Sequence, residues 1–313
     1  MATLSELVKF RNDLIELKKQ IDLESTIKRK LNSLSTLQGN NLTIDCEITN
    51  RDSYLLEIQN LNRKFQTSIS EWIQTASADI DSAASVLTSN ADYTKFAADQ
   101  VNDEVTVDSV LSDPLRELIT TRIKSYCDWH YPSLQIGCRF KQWTDCMVTS
   151  DPLYLTNYYP DMITRTTTTY PEEYQRRLRV YPISCHDLSK HLPIGQFGFV
   201  LSWEILNYAS RDEIRKILSQ TFNLLRPGGT FMFSYNNCDL PESANLAEIG
   251  AMSYIRKQHL YEIITSLGYS ITSIEDQPTN DPLYAYISWF EIKKPGALQT
   301  SKTHQAIGKI IEK

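Results

Sequence analysis

Leu225-Arg226-Pro227-Gly228-Gly229-Thr230-Phe231 decides how this chain folds. The stretch follows a segment that opens with Ser210-x-x-Glu213, a capping box in which the two side chains satisfy backbone N–H groups at a helix start. Pro227 cannot continue that helix, because it lacks an N–H and its ring meets the preceding turn. Gly228 and Gly229 accept the positive φ that a helix stop requires. Phe231-Met232-Phe233 then reads as a buried strand. The spelling predicts a helix, a tight turn and a strand, in that order.

The same alternation extends in both directions, from Pro132 to Lys294. Upstream, Leu134-Gln135-Ile136-Gly137 reads as a short strand. Cys146-Met147-Val148-Thr149-Ser150 reads as a second strand leading into Asp151, and Arg179 to Ile183 as a third, before Asp187. Phe197 to Trp203 reads as a fourth. Downstream, a helix is predicted over about 252–267, ended by Gly268, and two β-type runs follow at Tyr269–Ile274 and Ala285–Ile292. Alternating β and α segments imply a mostly parallel sheet covered by helices on both faces, with ligands outside the carboxyl ends of the strands. Asp113-Pro114 is predicted to start a further helix, with Asp as N-cap and Pro at its first position.

The N-terminal third reads differently. Thr3-x-x-Glu6 is a second capping box, and Leu7, Phe10, Leu14, Leu17 and Ile21 follow at alternating spacings of three and four, like a coiled-coil seam. Gly39-Asn40-Asn41 marks a turn. A second long helix carries the stripe Ile58, Leu61, Phe65, Ile69, Trp72, Ala76, Ile80, Ala83, Leu87, an eleven-residue repeat that averages about 3.67 residues per turn. Such a stripe has to be buried in a hairpin, a partner subunit or both. The expected organisation is a helical, coiled-coil-like arm over 1–104, an α/β domain over 105–296 and a tail over 297–313. The arm is expected to mediate homo-oligomerisation or docking in a protein assembly.

Composition narrows the classes. Over 313 residues the net charge is -6, which argues against a protein whose main work is gripping phosphates. No apolar run of about 18 residues points to a membrane span, and the N-terminus lacks the layout of a signal peptide. The six cysteines are scattered with no CxxC pair, which favours reduced thiols and a cytoplasmic location over a disulfide framework, and no metal site is expected.

Residues 132–294 resemble a class I S-adenosylmethionine-dependent methyltransferase, with its Rossmann-like, seven-stranded sheet. Leu134-Gln135-Ile136-Gly137-Cys138 is similar to that family's first motif, the loop under the methionine part of the cofactor. The resemblance implies an acid on the ribose hydroxyls after the second strand, assigned to Asp151 beside Pro152. It implies an adenine contact at Asp187 and Leu188, and ligand-facing residues Ser202, Trp203 and Glu204 after the fourth strand. Tyr208, Asn236 and Asn237 are candidate substrate contacts. The chain departs from the pattern where Gly137 is followed by Cys138-Arg139-Phe140 in place of further glycines. The 36 positions between Asp151 and Asp187 read as an insertion rich in Tyr and Thr. Methyl transfer from the cofactor is a direct displacement, so no catalytic residue is assigned.

Plainer readings stand beside these. Asp151 caps a turn with Pro152, Asp187 caps a short helix, Glu204 is a solvated helix start, and Asn236-Asn237 is a turn. The contiguous Cys185-His186-Asp187 is a poor metal or nucleophile cluster, because neighbours in one loop rarely converge. Ser202-Trp203-Glu204-Ile205 stands where enzymes that methylate an exocyclic base amine carry Asn-Pro-Pro-Tyr. The implied function is methylation of a small molecule or a protein side chain. The alternative is a structural or assembly protein whose methyltransferase-like domain is inactive and whose arm drives assembly.

Overall fold

A computed structural model describes residues 3–38, 45–90, 111–138, 141–279 and 285–298. They fall in two compact units, Met1–Val86 and Leu87–Lys313. The expected boundary at 104, the turn at Gly39-Asn40-Asn41, Arg139, Phe140 and all but the start of the 297–313 tail lie outside the described residues.

The first unit holds two long helices, α1 (Leu4–Gln38) and α2 (Asp45–Asn90). The capping box at the start of α1 is formed: Thr3 N donates to Glu6 Oε2 at 2.8 Å and Glu6 N to Thr3 Oγ1 at 3.2 Å. Gln66 Nε2 of α2 donates to Asp22 Oδ1 of α1 at 3.1 Å. The buried positions are Leu4, Val8 and Arg11 on α1 and Ile69, Ile80 and Ala84 on α2, early on one helix and late on the other, as an antiparallel pair requires. Ile69 and Ile80 belong to the second predicted stripe, whereas Leu4, Val8 and Arg11 lie off the first and Ala84 lies off the second. Phe10 and Leu17 of the first stripe, and Phe65 and Trp72 of the second, are exposed. A seam between two helices admits small or β-branched side chains at the closest approach, and Val8, Ile80 and Ala84 meet that need where Phe and Trp do not.

The second unit is a seven-stranded sheet with helices on both faces. In chain order it comprises α3 (Asp113–Tyr126), β1 (Ser133–Ile136), α4 (Lys141–Cys146), β2 (Leu153–Thr156), α5 (Pro160–Thr167), α6 (Glu172–Gln175), β3 (Leu178–Tyr181), α7 (Leu188–His191), β4 (Phe197–Ser202), α8 (Arg211–Leu224), β5 (Leu225–Tyr235), α9 (Pro241–Glu248), α10 (Lys257–Ser266), β6 (Ser270–Pro278) and β7 (Tyr286–Lys293). The strand order is β3-β2-β1-β4-β5-β7-β6. β7 runs antiparallel to both of its neighbours, and the remaining pairs are parallel. Side chains alternate across the sheet and build two cores. Leu134, Ile136, Val200, Phe231 and Phe233 pack with Ile217 of α8 and Ile263 of α10. Phe199, Leu201, Met232 and Trp289 pack on the other face with Ile119 and Ile123 of α3 and Trp143 of α4.

The helix before the Pro-Gly-Gly stretch is capped as expected, Ser210 N donating to Glu213 Oε2 at 2.7 Å and Glu213 N to Ser210 Oγ at 3.4 Å. The expected tight turn, however, is absorbed into β5, which starts directly at Leu225. Gly228 has φ +79 and sits against the backbone of Gly296, Ala297 and Leu298, where a Cβ would come within 2.4 Å of Leu298 N. The glycines therefore serve a kink in a strand and a close backbone approach, not a separate turn. Upstream, Ser112 and not the expected Asp113 holds the N-cap position of α3, without a side-chain cap hydrogen bond, and Asp113 is the helix's first residue.

Two sequence expectations are corrected. Cys146 to Ser150 is not the second strand: Cys146 ends α4, and the following residues turn, with Met147 N bonded to Thr144 O and Ser150 N to Met147 O. Cys146 and Met147 bury into the core from this helix end, so tertiary packing overrides the β-tendency of Val148 and Thr149. The second strand is Leu153–Thr156. The stretch between Asp151 and Asp187 is accordingly no insertion; it holds β2, α5, α6 and β3, the ordinary crossover of a parallel sheet.

Candidate functional site

The parallel strands place their carboxyl ends along one edge. Ile136 of β1 lies in register with Thr156 of β2 and Ser202 of β4, so Gly137, Asn157 and Trp203 start three neighbouring loops. Gly137 has φ +71, and its N–H donates to Thr156 O at 2.8 Å. A Cβ on Gly137 would stand 2.2 Å from Ile205 Cδ1, the end of a side chain that can shift, so it is the left-handed backbone that favours glycine. Cys138 turns into the core below, and burial pushes its thiol up to about 12. Asn157 Nδ2 donates to Cys138 O at 3.0 Å and ties the loop after β2 to the loop after β1.

The loop after β4 is held by a short polar chain. Glu204 N donates to Ser234 Oγ at 2.7 Å, and Ser234 Oγ donates to Asn207 Oδ1 at 2.8 Å. Glu204 has φ +57, the one positive φ of a non-glycine residue among the described residues. A bulky side chain persists there only because its surroundings over-determine it, and such positions cluster at functional sites. Ser202 Oγ and Trp203 Nε1 are buried with no hydrogen-bond partner in the protein. Trp203 lies between Trp143 and Trp289, with ring centroids 5.2 and 6.0 Å away. An orphaned hydroxyl inside this edge costs free energy unless a ligand or water satisfies it.

The predicted residues divide. Gly137, Cys138, Ser202, Trp203 and Glu204 share the edge, and Tyr208 is half-buried in the loop that follows, its N–H bonded to Ile205 O at 3.2 Å. Asp151 and Pro152 do not join them. They precede β2, at the amino end of the strand; Asp151 is exposed, 3.4 Å from Arg177 Nε, and Pro152 O accepts from Ser133 N. The ribose role assigned to Asp151 follows from the misplaced strand, and the carboxyl end of β2 carries Asn157 instead. Asp187 follows β3 by a loop and bonds Lys190 at 2.7 Å, which holds its carboxyl below the usual range; Leu188 is fully buried in the core.

Asn236 and Asn237 do follow β5, but their amides are spent inside the protein. Asn236 Nδ2 donates to the carbonyls of Ser243 and Ser253 at 2.9 and 3.0 Å, and Asn237 Nδ2 to Asp276 Oδ1 at 2.9 Å. They anchor the segment carrying α9 and are not substrate contacts by these bonds. Cys185 and His186 come within 3.9 Å, but burial raises the Cys185 thiol to about 11, which leaves no thiolate nucleophile at neutral pH. Among the described residues no group of His, Cys, Asp and Glu is arranged to hold a metal.

Sequence reasoning missed Asn157, Ile205 and Ser234. Leu153-Tyr154-Leu155-Thr156, followed by Asn157 and by Pro160 in the first turn of a helix, carried the signal for the first of them. For Ile205 and Ser234 no local pattern exists, since their roles arise from packing across β1, β4 and β5.

The sheet order, with one reversed strand next to the edge, decides the comparison. The chain has the class I methyltransferase fold. It is similar to the N-methyltransferase NodS from Bradyrhizobium japonicum WM9, solved in complex with S-adenosyl-L-homocysteine, at 14% identity and a TM-score of 0.51, over 66% of this chain and 100% of that one. A geranyl diphosphate C-methyltransferase from Streptomyces coelicolor A3(2) matches at 9% identity and a TM-score of 0.48, over 58% and 81% of the two chains. No protein-family model and no curated protein matches the sequence.

Proposed function

We propose that this protein is an S-adenosylmethionine-dependent methyltransferase that acts on a small molecule or a protein side chain. The observation that carries the reading is the buried, unpartnered hydroxyl of Ser202 at the carboxyl end of β4, in register with the left-handed Gly137 loop. The residues present fit the cofactor at this edge. The Gly137 backbone and the Ser202 hydroxyl suit its methionine part, and Asn157, whose amide donates to Cys138 O and accepts from Tyr159 N, fixes the loop that stands where the family carries an acid. Glu204 stands at the mouth. When bound, the cofactor supplies an electrophilic methyl group.

The chain's own part is positioning and exclusion of water. Trp143, Trp203 and Trp289 form an apolar wall behind the edge. The Glu204–Ser234–Asn207 chain fixes the loop that would present the acceptor. Direct displacement needs no general base when the acceptor is a thiolate or a neutral amine, so no side chain is assigned that role.

The acceptor class rests on charge and loop sequence. A net charge of -6 disfavours nucleic-acid phosphates, and Ser202-Trp203-Glu204 lacks the spelling that grips an exocyclic base amine. The described cysteines are free thiols, and no described helix is long and apolar enough to cross a membrane; a cytoplasmic location suits both. Incubation with radiolabelled cofactor and separate pools of nucleic acid, protein and metabolites tests the assignment. Label is expected in the protein or metabolite pool. Label in the nucleic-acid pool alone overturns the acceptor class, and label in none favours the structural alternative.

A further inference from the structure

We infer that one side of the α1–α2 hairpin is a docking surface for a second copy of the same hairpin. On α1, Phe10 is 56% and Leu17 44% exposed; on α2, Phe65 is 55% and Trp72 68% exposed. Each pair is seven residues apart, so each forms a line along its helix. The buried seam runs through Leu4, Val8 and Arg11 on α1 and through Ile69, Ile80 and Ala84 on α2. With 3.6 residues per turn, the exposed line lies roughly two-fifths of a turn from that seam on α1 and about a fifth of a turn from it on α2. The rotation has the same sense about the N-to-C axis of each helix. Because the helices are antiparallel, it carries both lines to the same side of the hairpin. Leu56, 63% exposed, falls on the opposite side.

Three features favour a second copy as the occupant. The surface is large: with an aromatic side chain worth about 150–250 Å², the four residues leave roughly 450 Å² of apolar area per chain. A two-fold pairing doubles that, and the half-buried Leu7 and Leu14 with a polar rim bring it to about the 1,200–2,000 Å² of a stable interface. The arrangement is self-complementary, since two hairpins packed on this side make a four-helix bundle in which every helix gains the second neighbour it lacks. Residues 1–90 carry ten Lys and Arg against twelve Asp and Glu, a net of -2, so no strong like-charge repulsion opposes self-pairing.

Sedimentation equilibrium of the full chain tests the inference. At tens of micromolar the expected mass is twice the 36.0 kDa of one chain. Trp72→Glu and, on the other helix, Phe10→Glu are each expected to weaken pairing at least tenfold while helical circular dichroism is kept. Leu56→Glu, an equal insult on the opposite side, is expected to leave the mass unchanged. A monomeric wild type, a trimer or larger, or dissociation by Leu56→Glu and not by Trp72→Glu would each overturn the proposal.

Discussion

The sheet and the hairpin use their largest apolar side chains in opposite ways. In the sheet unit Phe197, Phe199, Phe231, Phe233 and Trp289 are fully buried, each strand being covered on both faces by helices of the same chain. In the hairpin the buried seam takes Val8, Ile69, Ile80 and Ala84, while Phe10, Phe65 and Trp72 stay in solvent. A central strand of a parallel sheet has no solvent face, so it accepts whatever bulk its neighbours can pack. A two-helix pair has one contact line, and residues off that line wait for another partner. Large side chains thus mark the core in one region and a surface in the other.

The largest expected effect sharpens this contrast. Phe231→Ala should destabilise the sheet unit by about 3–5 kcal/mol, the usual cost of emptying an aromatic site in a core. Trp72→Ala, measured by denaturant unfolding at concentrations too low for pairing, should change stability by less than about 0.5 kcal/mol. A cost for Trp72→Ala near that of Phe231→Ala would erase the distinction between the two regions.

A smaller effect concerns the polar group inside the sheet. Glu291 of β7 is fully buried; it accepts from Tyr126 Oη and from Trp289 Nε1, the latter at 3.2 Å, with Arg122 Nη1 at 3.6 Å. Burial, then the hydrogen bond to Glu291, pushes the Tyr126 phenol up to about 12. Tyr126→Phe leaves that carboxylate one donor short and should cost about 1–3 kcal/mol in the same unfolding assay. No loss would mean that Trp289 and Arg122 suffice to satisfy Glu291.

The smallest effect is tied to pH. Burial tends to raise the Asp276 carboxyl, but hydrogen bonds from Lys257, Ser288 and Asn237 outweigh it and hold the group below its usual value. A depressed native value stabilises the fold at pH above the unfolded value of about 3.9. That stability is lost as pH falls through the native value. Asp276→Asn should therefore lower stability at neutral pH and flatten its decline below about pH 4, leaving the hairpin's helical signal unaffected. An equally steep decline in the variant would remove Asp276 from the account.

The order of elements in the sheet unit was legible because periodicity and punctuation agree there. Ser210-x-x-Glu213 marks a helix start, Phe197–Ser202 and Phe231–Phe233 read as buried strands, and the last two strands are visible as apolar runs, although their direction is not. The site was half legible. Gly137 and Ser202 to Glu204 were placed on the carboxyl edge because they end or directly follow unmistakable strands. Asp151 was misassigned because Cys146-Met147-Val148-Thr149-Ser150 has strand-like composition, yet its apolar members bury from a helix end. In the hairpin the stripes were visible but only part of them is buried: Ile69 and Ile80 of the second stripe join the seam while Phe65 and Trp72 do not, since periodicity reports that an apolar line exists and not which of its members meet the neighbouring helix.

The central claim, a cofactor site on the carboxyl edge of β1 and β4, is tested most directly by calorimetric titration of the full chain with S-adenosylhomocysteine. The account predicts saturable heat that weakens by about 0.5–1.5 kcal/mol in Ser202→Ala, the usual worth of one neutral hydrogen bond, and is unchanged in Asp151→Ala. No heat at millimolar ligand, or a loss on Asp151→Ala with none on Ser202→Ala, would contradict it.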